Sequence, residues 1–322
     1  MCHHRVMKKK FNWCFIGAGS IAFITAREVC KSDYNNVYSV WNRTYEKAER
    51  FGKEFNTKVY KNVEDALNDP EVDGVYIALT NDLHFEYMKK CIKHHKPILC
   101  EKPFTKNLKE AKEIFDLAKL NKVYVSEAMW TWHNKSAYKV KELLKDIGNI
   151  KEVTCEFSFV GTHVKRLMDI NLLGGALLDI GVYGLRYSLE LFGMPKNIIC
   201  VGKLLNGVDL HEEVIFKNDG FNVRHRFAVD EDYGINYKII GDKGIINVPE
   251  FQATKKVELI KDGKTTTFIN DVDLYETQFF NVAKEIKKGL LTSKIITKEN
   301  TLLCMKLMDE CRKQMGLIYP NE

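Results

Sequence analysis

Residues 13–22 read Trp13-Cys14-Phe15-Ile16-Gly17-Ala18-Gly19-Ser20-Ile21-Ala22, an apolar run that leads into a glycine-rich turn. In a strand–turn–helix unit, the first glycine permits the tight turn and the second lets the backbone approach a pyrophosphate. A third small residue allows the helix to pack closely on the strand, and Ala22 occupies that place. A glycine pattern alone is a weak signal, but this one lies between an apolar run and a helical segment. It therefore indicates a dinucleotide-binding fold.

The chain around this turn alternates short apolar runs with segments of helical periodicity, from Phe11 to about Val125. This alternation predicts a parallel, doubly wound Rossmann sheet. Asn62 and Asn107 are predicted N-caps. The predicted strands are residues 13–16, 37–40, 74–79, 98–100 and 123–125, and the predicted helices include residues 45–55, 83–93 and 108–119.

The pattern changes at Ile150, where apolar residues begin to alternate with polar ones through residue 159. A period of two is typical of a strand with one buried and one exposed face. Turn signals at residues 218–220 and 241–244 predict further hairpins, and helices are expected at residues 175–192 and after Leu274. We expect an α+β domain with a large, mostly antiparallel open sheet. The predicted domains are residues 1–126, which bind NAD(P), and residues 127–322, which form the α+β domain, with a late helix returning to the first domain.

Composition narrows the class of protein. The chain has 322 residues, 45% hydrophobic and 29% charged, which suits about two globular domains. Its net charge of +6 comes from 49 basic and 43 acidic residues without a basic stripe, so nucleic acid is not expected as a partner. Nine cysteines without a Cys-x-x-Cys pair favour buried thiols in a reducing cytosol. No apolar stretch reaches the ~20 residues of a membrane helix, and residues 1–7 lack a signal-peptide core. We expect a cytoplasmic protein; whether residues 1–6 precede a natural start at Met7 stays open.

The end of the second predicted strand bears on the choice of cofactor. An NAD-specific enzyme commonly has an acidic residue there to hold the ribose 2′-hydroxyl, whereas this chain has Trp41-Asn42-Arg43-Thr44. An arginine can pair with a 2′-phosphate, so NADP is preferred to NAD, with Asn42 and Arg43 as contacts. The alternative is that Arg43 is merely a solvated cation.

Three further residues are candidates for catalysis. Lys102 follows the strand at residues 98–100, and ligands of open parallel sheets bind beyond the carboxyl ends of the strands. Outside such a sheet, Glu101-Lys102-Pro103 would be an ordinary solvated loop. Asp179 and Tyr183 are four residues apart on a predicted helix and therefore share a face. A carboxylate and a phenol side by side can hold a substrate hydroxyl and pass on its proton.

Taken together, these segments resemble the Gfo/Idh/MocA oxidoreductases, and most closely the branch of dimeric dihydrodiol dehydrogenase and xylose dehydrogenase. The resemblance is carried by residues 17–22, 80–84, 101–103, 127–130, 174–183 and 241–244, and it covers nearly the whole chain. Tyr183 matches this branch, since many other members have histidine there. The resemblance implies a cis peptide at Pro103 and cofactor contacts from Thr80, Asn81, His84, Glu101 and Lys102, with Lys102 near the nicotinamide and the reacting oxygen.

The resemblance also implies that residues 127–322 bind the substrate and form oligomers, with the second sheet making the subunit contacts. An antiparallel sheet can leave one face uncovered, and the strand from Val153 to Phe159 has a markedly apolar face. We therefore expect a homodimer or homotetramer that assembles through this sheet.

Two positions depart from the relatives. Leu173 stands where many have the first of three glycines, and Trp132 stands where the dihydrodiol-like branch often has arginine. We expect Trp130, Trp132 and His133 to form a stacking wall for a sugar ring or a diol. The alternative is that the tryptophans belong to the core and His133 to the surface.

Three classes of function stay open. The first is an NAD(P)-dependent dehydrogenase or reductase acting on a secondary alcohol of a sugar, polyol or cyclic diol. The second is a non-catalytic nucleotide-sensing regulator, and the third is a hydrolase or lyase that uses the cofactor for transient oxidation. Retention of Lys102, Asp179 and Tyr183 argues against the regulator. No metal site is expected, because His94 and His95 diverge on a helix and His84 has no ligand partner at zinc spacing.

Overall fold

The computed structural model describes residues 9–322. The expectations for residues 1–7, the missing signal-peptide core and the alternative start at Met7, lie outside this range. Of the basic run at residues 8–10, Lys9 pairs with Glu71 at 2.8 Å, and Lys10 donates to the carbonyl of Ser32 at 2.6 Å. No helix among residues 9–322 is both long and apolar enough to cross a bilayer.

The first sheet is a six-stranded parallel Rossmann sheet, as predicted. Its strand order is β3-β2-β1-β4-β5-β6, with the order reversing beside β1. Such a reversal opens a crevice at the carboxyl edge, where doubly wound folds bind dinucleotides. The strands are β1 (Phe11–Ile16), β2 (Asn35–Trp41), β3 (Lys58–Tyr60), β4 (Gly74–Ile77), β5 (Ile98–Glu101) and β6 (Val125–Ala128).

Helices cover both faces of this sheet. The Asn62 side chain accepts the amide of Glu64, and Asn107 accepts that of Glu110, so both residues cap helices as predicted. Strand β3 is too short to show a periodicity and is absent from the sequence prediction, which gives only the N-cap of α3, at Asn62. The helices up to the second sheet are α1 (Ser20–Val29), α2 (Tyr45–Phe55), α3 (Val63–Asn68), α4 (His84–Lys93), α5 (Leu108–Asn121) and α6 (Lys135–Leu143).

The last strand of this sheet extends further than expected. Glu127 pairs with Cys100 and Ala128 pairs with Glu101, so β6 runs to residue 128. The predicted domain boundary between residues 126 and 127 therefore falls inside a strand.

The second sheet has eight strands in the order β14-β13-β12-β11-β7-β10-β9-β8. Neighbouring strands are antiparallel except for β7 and β10, which run parallel, so the predicted mostly antiparallel sheet is confirmed. Its strands are β7 (Ile150–Ser158), β8 (Asn197–Leu205), β9 (Val208–Lys217), β10 (Asn222–Ala228), β11 (Ile235–Gly241), β12 (Ile245–Pro249), β13 (Lys256–Lys261) and β14 (Lys264–Ile269).

The apolar face of β7 is turned toward the protein's own helices. Val153 and Cys155 are fully buried, and α7 (Val182–Phe192) packs so closely that a Cβ on Gly184 would lie 2.7 Å from the Cys155 sulfur. The opposite face carries polar groups, among them Glu156, which pairs with Arg226 at 3.2 Å. The apolar face of β7 therefore belongs to the core, and the expectation that this face forms a subunit interface is wrong.

The chain ends in two helices, α8 (Leu274–Lys287) and α9 (Lys298–Met315). On α8, the ring of Phe279 lies 4.8 Å from that of Trp13 and 5.0 Å from that of Tyr76, both in the first sheet. At the start of the same helix, the amide of Tyr275 donates to Glu28 of α1 at 2.8 Å. Aromatic packing and an end cap thus hold this late helix against the first sheet.

Candidate active site

A cleft of about 560 Å³ runs along the carboxyl edge of the first sheet. It brings together eleven of the predicted site residues, which come from both halves of the chain: Gly19, Ser20, Ile21, Asn42, Arg43, Thr80, Asn81, Glu101, Lys102, Asp179 and Tyr183. Residues that the sequence analysis did not single out complete the lining, namely Ile24, Thr44, Lys47, Ala78, Leu79, Leu83, Arg166 and Leu172.

The two glycines of the first turn have different roles. Gly17 has a φ of +112°, and a Cβ there would lie 2.4 Å from the carbonyl oxygen of Ala78, so the fold itself requires glycine. A Cβ on Gly19 would meet no atom within 4 Å. Gly19 precedes the first turn of α1 and lines the cleft, so its bare backbone suits a pyrophosphate at the helix N-terminus.

Ala18 and Ala22 hold the glycine turn in place against the sheet and the end of β2. Ala22 is fully buried against the sheet, as the third small position requires. The amide of Ala18 donates to the Asn42 side chain at 3.1 Å, which ties the glycine turn to the end of β2. Asn42 therefore shapes the cofactor turn as well as lining the cleft.

Basic side chains lie at the β2 end of the cleft. Arg43 is exposed there and forms no ion pair within residues 9–322. Lys47, one turn further along on α2, also lines the cleft. The acidic residues of the lining, Glu101 and Asp179, belong to the far side, across β1 and β4. Two cations at a part of the lining without a carboxylate suit a 2′-phosphate.

Lys102, Asp179 and Tyr183 converge at the other end. The Lys102 ammonium donates to the Asp179 carbonyl oxygen at 2.6 Å and lies 3.5 Å from the carboxylate Oδ1. The same nitrogen is 4.8 Å from the centre of the Tyr183 ring. Asp179 lies in a π-helical turn (Leu177–Gly181) that leads directly into α7, and Tyr183 is the second residue of that helix. Three groups able to hold or move a proton therefore meet at the end of the cleft away from Arg43.

Tyr183 is set up to donate its proton. The indole N–H of Trp130 donates to the phenol oxygen at 2.8 Å, which leaves the phenol hydrogen free for another acceptor. Burial raises the pKa of Tyr183 well above its usual value, and the nearby charge of Glu101 acts in the same direction. The phenol therefore stays protonated at neutral pH.

The Asp179 carboxylate is buried but ionised. Burial acts to raise its pKa, yet the charges of Lys102 and Arg166 outweigh burial and hold the pKa below the ordinary value. Arg166 donates from Nη1 to Oδ1 at 2.9 Å and from Nη2 to Oδ2 at 3.4 Å. The sequence analysis missed this arginine, because it lies in a connection without periodicity, thirteen residues before its partner.

Glu101 lies at the floor of the cleft. It accepts a hydrogen bond from the Tyr76 hydroxyl at 2.6 Å, and burial raises its pKa to about 7. The peptide bond between Lys102 and Pro103 is cis, as the resemblance implied.

His84 supports the cleft but does not line it. Its side chain is fully buried, with Nδ1 2.8 Å from the Pro103 carbonyl oxygen and Nε2 3.2 Å from that of Leu79. Burial lowers the pKa of His84, so the ring is neutral. The expected contact of His84 with the cofactor is therefore replaced by packing between two backbone segments beside the cleft, and the single N–H of the neutral ring donates to one of their two carbonyl oxygens.

The predicted aromatic wall is wrong for two of its three members. Trp132 is 1% exposed and packs on Tyr187 at 5.1 Å between ring centres, so it belongs to the core. His133 is buried beside Asn281 of α8, and burial lowers its pKa to about 3. Residues 130–133 form a 3₁₀ turn, in which positions two apart point in different directions. Trp130 alone reaches the site, through Tyr183.

Comparison with known proteins agrees with this geometry. Residues 11–129 match the oxidoreductase family with an NAD-binding Rossmann fold, GFO_IDH_MocA, and residues 138–247 match the GFO/IDH/MocA C-terminal domain. The chain is 33% identical over 300 residues to the scyllo-inositol 2-dehydrogenase (NADP(+)) IolU of Bacillus subtilis (strain 168), across 88% of this chain and 90% of that protein. It is 28% identical over 330 residues to trans-1,2-dihydrobenzene-1,2-diol dehydrogenase of Mus musculus, across 96% and 98% of the two chains.

A solved structure shows the same fold. KijD10, a 3-ketoreductase from Actinomadura kijaniata in complex with NADP and TDP-benzene, superimposes with a TM-score of 0.88 and 21% identity, covering 95% of this chain and 98% of that chain. The Rossmann and C-terminal family patterns both match, and a relative at 33% identity covers most of the chain. The chain therefore belongs to the Gfo/Idh/MocA family of NAD(P)-dependent oxidoreductases.

Proposed function

We propose that this enzyme transfers a hydride between NADP(H) and a secondary alcohol or ketone of a polyol, sugar or cyclic diol. The observation that carries the proposal is the meeting of Lys102, Asp179 and Tyr183 at one end of a cleft whose other end has a dinucleotide turn. The relatives act on ring-bearing alcohols, an inositol and a dihydrodiol by their names, which supports this substrate class.

The residues divide the chemistry among them. The nicotinamide ring, when bound, accepts or supplies the hydride. During oxidation the substrate hydroxyl must lose its proton as the hydride leaves carbon, and during reduction the new alkoxide must gain one. Lys102 is the principal proton carrier in this scheme, and Tyr183 donates to or relays for the same oxygen. Asp179 accepts a hydrogen bond from a neighbouring substrate hydroxyl and so fixes the ring.

The preference for NADP rests on charge at the β2 end of the cleft. Arg43 and Lys47 offer two cations there, and the acidic residues of the lining lie at the opposite end. Charge-assisted hydrogen bonds to a 2′-phosphate contribute roughly 1.5–3 kcal/mol. The relative IolU is named as an NADP(+) enzyme, which supports the same choice.

An absorbance screen at the reduced-nicotinamide band tests the function. Purified protein is offered inositols, aldoses, sugar phosphates and trans-dihydrodiols with each cofactor, and Lys102→Met serves as the matched inactive control. Net reduction of NADP⁺ by a polyol or diol, absent in the variant, is the expected result. Cofactor binding without turnover on any substrate would favour a nucleotide-sensing regulator. Substrate cleavage without net change in the cofactor would favour a hydrolase or lyase.

Assembly into a homodimer or homotetramer through the second sheet is also part of the proposal, as is a cytoplasmic location. The outer face of that sheet, with Glu156, Arg226 and Lys238, is only partly buried within one chain, which supports a role in contact with another subunit. This face mixes charged groups with exposed apolar side chains such as Ile199 and Val201, so such an interface would use ion pairs and hydrogen bonds as well as apolar area. Light scattering that shows only monomers at micromolar concentration would contradict the assembly.

A further inference from the structure

Arg166 reaches the candidate active site from the connection between β7 and the π-helical turn. Its guanidinium group contacts both oxygens of Asp179, at 2.9 and 3.4 Å. The arginine side chain is 49% exposed and that of Asp179 is 11% exposed. Exposed ion pairs contribute little, but a fork that engages both oxygens of a buried carboxylate is geometrically specific.

The backbone that carries Arg166 is fixed on several sides. Leu167 is 1% exposed and anchors the connection in the core. A Cβ on Gly174 would lie 2.6 Å from the Arg166 carbonyl oxygen, so the two parts of the connection touch through bare backbone. The side-chain amide of Asn81 donates from Nδ2 to the Leu173 carbonyl at 3.1 Å and ties the same connection to the first sheet. Arg166 therefore projects into the cleft from a defined position.

The groups that face Asp179 explain what Arg166 adds. Lys102 faces it from the end of β5, Tyr183 from α7, and Glu101 lies beyond them next to Lys102. The Lys102 ammonium makes its short contact with the Asp179 backbone oxygen and lies 3.5 Å from Oδ1. Among residues 9–322, only Arg166 donates a hydrogen bond to Oδ2 of Asp179. Without Arg166, the charge of Lys102 alone would counter the effect of burial on the Asp179 carboxylate, and Oδ2 would lose the hydrogen bond that holds it.

We propose that Arg166 is a positioning residue of this active site, which holds Asp179 ionised and in one orientation so that its free lone pairs accept a substrate hydroxyl. A carboxylate has about four acceptor positions, so the arginine fork leaves room for the substrate. The inference rests on the proposed function, since Asp179 needs this orientation only if it binds the substrate.

Carbon NMR of the full chain labelled at the aspartate carboxyl carbon tests the charge directly, without substrate. The Asp179 signal is assigned by its loss in Asp179→Asn, and its titration is compared in wild type, Arg166→Ala and Arg166→Lys. We expect the midpoint to rise by roughly one pH unit in Arg166→Ala and to return part of the way in Arg166→Lys. Lys165 is an exposed neighbour on the same 3₁₀ turn, so in Lys165→Ala the Asp179 signal should titrate as in wild type.

Turnover gives the second reading, once the screen has found a substrate. In Arg166→Ala, kcat/KM should fall roughly tenfold more at the acid end of the pH profile than at the alkaline end, with NADP affinity unchanged. Arg166→Gln gives the same readings if the alanine variant does not fold. An unchanged Asp179 titration, or a loss of activity equal at every pH, overturns the inference. A shifted titration in a protein without turnover supports the arginine–aspartate coupling and overturns the proposed function instead.

Discussion

The indole N–H of Trp130 donates to the phenol oxygen of Tyr183 at 2.8 Å, with the two rings 5.8 Å apart in an edge-to-face arrangement. Tryptophan can only donate, so this bond uses the acceptor side of the phenol and leaves its hydrogen for the substrate. The bond also acts to lower the pKa of Tyr183, against burial, which raises it. Trp130 thus makes Tyr183 a stronger acid and fixes the direction of its O–H.

Trp130→Phe tests this relationship. The variant keeps an aromatic ring but removes the N–H, so kcat should fall by roughly fivefold, the equivalent of about 1 kcal/mol for one hydrogen bond. In a Tyr183→Phe background the same change should have little further effect, because its target is gone. Steady-state kinetics of the two single variants and the double variant measure the coupling. An equal loss in both backgrounds would show that Trp130 acts through packing instead.

The two glycines of the first turn predict opposite outcomes. Gly17→Ala introduces a Cβ 2.4 Å from the Ala78 carbonyl oxygen at a φ of +112°, so the folded protein should be destabilised by several kcal/mol. Gly19→Ala meets no protein atom within 4 Å and should leave the melting temperature unchanged. It should nevertheless weaken NADP binding, because the added methyl group occupies the space of the pyrophosphate. Thermal melting and calorimetric titration separate the two effects, and a Gly19→Ala protein with wild-type affinity would remove the pyrophosphate from this position.

Arg43→Ala should weaken NADP binding by roughly 10- to 100-fold and leave NAD binding nearly unchanged. The loss follows from removing a charge-assisted partner of the 2′-phosphate, which NAD lacks. Lys47→Ala should show the same selectivity with a smaller loss, since an ammonium offers a single point contact. Lys53→Ala, exposed on the same helix but outside the cleft, is the control. Equal losses for both cofactors would place Arg43 elsewhere than at the 2′-phosphate.

Stability should fall as the pH rises from about 4 to 7, in part because of Asp209. Its carboxyl is fully buried, accepts the Leu177 amide at 2.6 Å, and burial raises its pKa to about 7 from an ordinary value near 3.8. The folded protein thus holds this proton more tightly than the unfolded chain does. The free energy of unfolding therefore declines by up to about 1.4 kcal/mol per pH unit across that window.

Asp209→Asn should reduce that slope while keeping the acceptor for Leu177, and the slope that remains belongs in part to the neighbouring Glu212, whose pKa burial also raises. Urea unfolding at several pH values measures it, with Asp262→Asn in the exposed turn between β13 and β14 as the control. A slope that is the same in Asp209→Asn and wild type would mean that the Asp209 carboxyl is not the group that holds the extra proton.

The parts of the site that the sequence predicted are local ones. Gly17, Gly19 and Lys102 lie at strand ends, where a run of a few residues determines both the strand and the place where its side chains emerge. Asp179 and Tyr183 were predicted because helical spacing puts them on one face. Arg166 and the Trp130–Tyr183 bond depend on contacts between distant segments, which no spacing reports. The predictions that His84 and Trp132 line the cleft are wrong, because the burial of a side chain depends on which distant segments pack against it, and periodicity does not report those segments.

Lys102 and Tyr183 provide the last and most direct test, because both are expected to act on the same proton. General acid–base catalysis contributes about 10²–10⁴-fold, so Lys102→Met should lower kcat by at least the smaller factor while NADP affinity stays nearly intact. The loss of kcat in Tyr183→Phe should be smaller than that in Lys102→Met if Lys102 is the principal proton carrier, and larger if the phenol is. The loss of kcat in the double variant should be well below the product of the two single losses, because both side chains act on the same proton. Single-turnover measurement of hydride transfer in the three variants decides between these outcomes. Wild-type rates in Lys102→Met would exclude the lysine from the reaction, even though its ammonium lies 2.6 Å from the Asp179 backbone oxygen at the catalytic end of the cleft.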